Sequence, residues 1–340
     1  MVDSSQKTWR YLDAHLVLPM IDFLEDNKLA AETEIMQCRI KAVSATGMID
    51  YLIELYQDSK LTVPSDLIER KAQITVELEA KQAQLRPLLE VVQAHGVEAI
   101  KQISLADFCL KYNLSADILD VTFEYARLSY HIGDYKTSSE LLKIYRLLTS
   151  STETMSSPTE RQMRAMWGSI ASYIAQNELS AASELILKLV EFFENSTLPK
   201  DKFSYGASGL WLIHWAVLVS LKSKNVDFLS FMVKDKFLNI MSISAPYLWR
   251  YISALIILSP YERIQSLPVT DIANLISKDA DASRDPINEA LVELLQNFNL
   301  ENKLHLSKAA KGDFYLDALA DELDKKAGEL RNQIKAKLYQ

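Results

Sequence analysis

The run Trp211-Leu212-Ile213-His214-Trp215 is the place in this sequence where a proton-transfer group is most conspicuously framed. A histidine so placed could act as a general base. Trp211 and Trp215 are four residues apart and share one helical face, so His214 is expected to stack and hydrogen-bond within a packed core. The other histidines, His15, His95, His131 and His305, are scattered. None of the five is spaced with a Cys, Asp or second His as a helical metal pair requires. Gly206-Ala207-Ser208-Gly209 is one residue short of a nucleophile elbow and follows no strand. Asp317, Asp321, Glu322 and Asp324 form a helical acidic run of the kind that faces solvent. H-E-x-x-H, G-x-S-x-G, Walker A and G-x-G-x-x-G motifs are all missing. These readings give no catalytic residue, no cofactor and no metal site, and a non-enzymatic protein is expected.

One charged cluster points to binding. Lys325, Lys326, Arg331, Lys335 and Lys337 face only Glu329 near the C-terminus. They either complement the negative end of their own helix or contact RNA or an acidic partner, and the first reading is favoured. The whole chain carries 37 basic and 45 acidic residues, a net charge of -8, which repels a phosphate backbone. RNA contact is therefore expected to be local and auxiliary.

Only 8 glycines occur in 340 residues, far below the usual ~7%, which disfavours strand-and-turn folds and phosphate loops. With 49% hydrophobic residues there is ample material for a core. Cys38 and Cys109 stand alone and are expected as small buried residues in a reducing compartment. The longest apolar stretch, from Tyr247 to Leu258, is broken by Arg250 and ended by Pro260, short of the roughly 20 residues of a bilayer span. The first residues lack the pattern of a secretory signal or presequence, so a cytoplasmic location is expected, with the nucleus as a second compartment and no membrane contact.

Apolar residues recur at helical spacing throughout, as in Leu12, Leu16, Met20 and Phe23. Ser4 or Ser5 is expected to cap the first helix, Pro19 to kink it and Asp26-Asn27 to end it. Ala30–Ala45 and Met48–Asp58 are expected as an antiparallel pair. A long helix, Leu67–His95, carries a thin apolar stripe (Ile68, Ala72, Val76, Leu78, Leu85, Leu89) and should brace its neighbours, with a bend at Pro87.

From residue 105 the pattern repeats. Tyr125-Ala126 leads to a Gly133-Asp134 turn and Leu141-Leu142; Trp167-Gly168 leads to Gln176-Asn177-Glu178 and Leu185-Ile186-Leu187. Tyr125 to Trp167 is 42 residues, within the range of helix-pair solenoid units. Gly133 is expected to take the left-handed cap between the two helices of its unit. Further units begin at Trp211, Tyr247 and Pro286. The fold class expected is all-α: a right-handed helical-repeat solenoid of TPR/HEAT-like helix pairs, with Trp167, Trp211, His214, Trp215 and Tyr251 in packing roles.

The residues also carry a resemblance. His15-Leu16-Val17-Leu18-Pro19-Met20-Ile21-Asp22-Phe23-Leu24, Met48-Ile49-Asp50-Tyr51, Gly133-Asp134-Tyr135 with Glu140, Leu142 and Arg146, Trp167-Gly168, Trp211–Trp215, Arg250-Tyr251, Asp285-Pro286-Ile287 and Asp313-Phe314-Tyr315-Leu316 fall in one order along the chain. That series resembles the PCI-domain family of the E component of eukaryotic translation initiation factor three, across roughly residues 10 to 320. The resemblance implies a repeat body leading into the helical part of a PCI domain, with the winged-helix part absent. It divides the chain into an N-terminal helical region (1–104), a repeat domain (105–312) and a C-terminal helix with a basic end (313–340). It further implies a non-catalytic scaffold that helps assemble the 43S pre-initiation complex on the small ribosomal subunit and recruit mRNA. The implied partners are other subunits of the factor, small-subunit ribosomal proteins and the scaffold factor of the mRNA cap-binding complex. The rival is a PCI-type scaffold subunit of the proteasome lid or COP9 signalosome.

Overall fold

The computed structural model describes residues 9–96, 105–115, 117–150, 159–195, 202–223, 228–232 and 234–258. Every regular element among them is a helix. In chain order these are α1 (Ala14–Asp26), α2 (Glu32–Ser44), α3 (Ile49–Asp58), α4 (Asp66–His95), α5 (Leu105–Tyr112), α6 (Ile118–His131), α7 (Tyr135–Ser150), α8 (Glu160–Ala175), α9 (Leu179–Asn195), α10 (Lys202–Ser223), α11 (Leu229–Met232), α12 (Asp235–Ser244) and α13 (Leu248–Leu258). The chain forms two compact units, residues 1–223 and 224–340.

Within the first unit each helix packs on its successor from α1 to α4 and again from α6 to α10, while α4 also packs on α6 and α1 reaches α8. This nearest-neighbour order is the contact pattern of a helical-repeat array. Helix α4 joins two cores. Leu67 at its start is buried with Val43, Ile49, Leu52 and Leu55; Leu85 and Leu88 near its end are buried with Phe108, Ile118, Ala126 and Leu141. Between them Ile68 and Val76 are each 66% exposed. The thin apolar stripe read from the sequence is thus two short contacts at the ends of a brace.

Helix ends follow one device. After α6, Gly133 takes φ +91°, its N–H donates to the Tyr130 carbonyl and the Asp134 N–H donates to the Ser129 carbonyl, the paired bonds of a Schellman cap. After α8, Asn177 at φ +62° does the same, with Asn177 N–H to Ile174 and Glu178 N–H to Tyr173. Gly133 to Asn177 is 44 residues, and the following helices begin at Tyr135 and Leu179, also 44 apart. The repeat is therefore 44 residues long, and Trp167 matches Phe123 in register. Aligning the two aromatic-rich starts by side-chain type, Tyr125 on Trp167, shifts the units by two residues.

Small side chains let these helices approach. Gly168 lies so close to α7 that a Cβ there would sit 3.0 Å from Leu142 Cδ1. The Ser172 hydroxyl donates to the Ser138 hydroxyl at 3.2 Å, and Gln176 Nε2 donates to the Tyr135 carbonyl and the Ser139 hydroxyl, each at 3.0 Å. Thr159 and Gln162 close a capping box at the start of α8.

Two expectations change. Helix α1 is capped by Asp13, whose carboxylate accepts the His15 backbone N–H at 3.0 Å; Ser4 and Ser5 lie outside the described residues. Cys38 and Cys109 are half-buried rather than buried, although desolvation still pushes both thiols up. In the second unit Phe228, Phe231, Phe237, Met241, Trp249 and Ile252 are buried together with Leu248 and Leu255. No described helix is long and apolar enough to cross a membrane.

Candidate functional site

The segment leading into α1 is a strap that crosses the repeat helices. It is short and irregular between Trp9 and Asp13, and its polar groups must find partners elsewhere. Trp215 Nε1 of α10 donates to the Tyr11 carbonyl at 2.9 Å. The Tyr11 ring stacks on His214, with centroids 4.3 Å apart and planes 25° from parallel. One turn onward the Tyr130 hydroxyl of α6 donates to Asp13 Oδ1 at 2.8 Å, and His15 Nδ1 lies 3.0 Å from the Tyr135 hydroxyl at the start of α7. The strap is thus tied to three helices that lie 117 to 204 residues downstream.

Burial fixes the protonation of this cluster. His214 is 2% exposed and its ring nitrogen Nδ1 faces the Leu210 carbonyl at 2.7 Å. Since a carbonyl only accepts, Nδ1 carries the proton. Desolvation outweighs that bond and lowers the His214 pKa to about 4. His15 is lowered to about 4 as well, by burial first, with the nearby Asp13 carboxylate opposing and His131 assisting. Burial raises the Tyr135 hydroxyl to about 12 and pushes Tyr130 well above its ordinary value, helped by Asp13. Both imidazoles are neutral at pH 7 and both phenols protonated. They hold structure together and do not offer a proton near neutrality.

Beside the strap, α8 and α10 leave an open groove of about 450 Å³. Trp167, Gly168 and Ala171 line it from α8; Ser208, Trp211 and Trp215 line it from α10; Asp13 and Tyr130 complete the lining. Trp167 meets Trp215 edge-on, centroids 4.9 Å apart and planes at 88°, and Trp211 tilts against Trp215 at 6.1 Å. Trp215 is buried as the floor, whereas Trp167 and Trp211 are half-buried walls. Periodicity marks the shared face of Trp211 and Trp215 but not the wet side of that face, because the groove depends on what α8 places opposite.

The remaining sequence candidates are dispersed. Tyr251 is half-buried on α13, in the second unit. Gly206–Gly209 lies inside α10 and has no strand-to-helix turn. Lys325, Lys326, Arg331, Lys335, Lys337 and the acidic run at 317–324 lie outside the described residues, as does His305. His95 sits against Tyr112 at 5.3 Å. Among the described residues no group of three or more His, Cys, Asp or Glu is placed to hold a metal ion.

Known proteins share this sequence pattern. Residues 3–129 match the family model described as the eIF3 subunit 6 N terminal domain. The chain is 27% identical over 341 aligned residues to the E component of eukaryotic translation initiation factor 3 from Bombyx mori, covering 94% of this chain and 74% of that protein. It is 25% identical over 332 residues to the same component from Drosophila melanogaster, with the same coverage. Against its Arabidopsis thaliana counterpart it is 25% identical over 298 residues, covering 85% of this chain. The chain is similar to the E component of initiation factor 3. It spans 65% of the length of the Arabidopsis protein and 74% of that of the two insect proteins. The matched N-terminal domain contains the strap residues Tyr11, Asp13 and His15 together with Tyr130's helix up to Ser129.

Proposed function

We propose that this chain is a subunit of eukaryotic translation initiation factor 3 that acts without catalysis, as a helical scaffold. The observation that carries this is the similarity to the E components of that factor over 94% of the chain. The architecture supports it: helices stacked on sequential neighbours offer extended faces to other proteins, and the buried His15 and His214 and the half-buried Tyr130 and Tyr135 are occupied in holding the strap. Its partners on this reading are other subunits of the factor, proteins of the small ribosomal subunit and the scaffold factor of the cap-binding complex, within 43S assembly and mRNA recruitment. Its location is the cytoplasm, with the nucleus as a second compartment. RNA contact is confined to the basic run Lys325–Lys337.

The test is mass spectrometry of proteins retained on the chain from cytosolic lysate, with and without ribonuclease. Ribonuclease-resistant recovery of initiation factor 3 subunits is the expected result. Recovery of proteasome-lid or signalosome subunits in their place overturns the assignment. For RNA, neutralising Lys325, Lys326, Lys335 and Lys337 is expected to reduce both affinity and the salt dependence of binding.

A further inference from the structure

We propose that the groove between α8 and α10 binds an arginine side chain presented by a partner protein. Its lining holds three indoles: Trp167 and Trp215 stand at 88° to one another, and Trp211 tilts against Trp215. A corner of aromatic faces attracts a cation through the ring quadrupoles, and tryptophan is the strongest of the aromatic residues in this role. A planar guanidinium is more weakly hydrated than an ammonium and stacks on such faces, so arginine fits better than lysine.

The charge in the lining selects the same ligand. Asp13 is the one ionisable carboxylate among the lining residues, and none of them is basic. The hydrogen bonds it receives from the His15 backbone N–H and the Tyr130 hydroxyl both end on Oδ1, which leaves Oδ2 to accept from a guanidinium. Those bonds also hold the carboxylate in place before a ligand arrives, which reduces the ordering cost of binding. The size of about 450 Å³ is that of a ligand site. Because the groove is open to the surface, the arginine can enter while still attached to a polypeptide.

The experiment uses the full chain with 5-fluorotryptophan at its five tryptophans and titrates Nα-acetyl-arginine amide while following the fluorine resonances. The expected result is saturable movement of Trp167 and Trp211, with Trp249 of the second unit unmoved. Nα-acetyl-citrulline amide, the neutral isostere, is expected to move neither. Asp13→Asn keeps a good helix cap and should weaken the arginine compound by about tenfold, the loss of one charge-assisted bond. Trp167→Leu leaves Asp13 intact and should abolish saturation. No saturable movement, equal binding of the citrulline compound, or a lysine analogue bound as tightly would each refute the assignment. The titration contains no other protein, so its outcome is separate from what the chain retains from lysate.

Discussion

Replacing Trp215 tests whether the strap is fastened where the structure places it. The side chain is 3% exposed, its N–H donates to the Tyr11 carbonyl at 2.9 Å and its ring receives Trp167 edge-on at 4.9 Å. Trp215→Ala removes a packed aromatic and should cost about 3 to 5 kcal/mol. Trp215→Phe keeps an aromatic ring but leaves the Tyr11 carbonyl without its donor, for a loss of about 1 to 3 kcal/mol. The two variants also differ in where the loss falls. Hydrogen exchange in graded urea on the intact chain reads both places. The Leu12, Leu16 and Val17 amides, whose hydrogen bonds to Trp9 and Asp13 form the strap and the first turn of α1, should lose about tenfold or more of their protection in Trp215→Phe. Amides of α6 and α7 should change less. A cost below about 1 kcal/mol for Trp215→Ala would make this helical face a surface and not a core. Unchanged strap protection in Trp215→Phe would show that the Tyr11 bond is not its fastening.

Three further outcomes are expected. The folded His15 and His214 have pKa values near 4 against about 6.5 unfolded, so the unfolded chain binds more protons between those values and stability rises with pH there. Lowering the pH from 7 to 4.5 should therefore cost up to about 3 kcal/mol per histidine; urea midpoints of His15→Gln and His214→Gln should show a flatter dependence in that window, and an unchanged slope would contradict their neutral burial. Gly133→Ala places a Cβ at φ +91° and should cost about 1 to 2 kcal/mol, measured by urea unfolding; a neutral result would mean the α6 cap relaxes freely. Gly47→Ala would bring a Cβ to 2.5 Å from His131 Cδ2 and should cost about 1 to 3 kcal/mol through displacement of that ring, read as a loss of hydrogen-exchange protection at the Gly47 amide that donates to the His131 carbonyl.

Helicity, the span of α4 and the Gly133 cap were legible in the sequence because each rests on interactions within about four residues. Apolar spacing places Leu67 and His95 within one residue of the observed ends of that helix. A glycine before Asp134 at the end of an aromatic helix reads as a left-handed cap for the same local reason. Asn177 was legible only as a break. Its cap shows in the backbone, and with it the 44-residue repeat that side-chain matching misplaces. The role of α4 was half legible, since a thin stripe signals partial exposure but not which of its apolar residues meet a neighbour.

Tertiary structure alone decided the strap and the groove. Tyr11 precedes a helix and Asp13 and His15 stand at its start, where no periodicity predicts a partner, and their long-range contacts lie more than 110 residues away. The sequence marks Trp211, His214 and Trp215 as one cluster, because four-residue spacing is a local property of a helix. What faces that cluster depends on the residues that α8 sets opposite it and on a carboxylate delivered by the strap. Short-range hydrogen bonding sets the helices, but the relative placement of distant helices is set by long-range burial, and only there do three indoles and Asp13 come to face the same space.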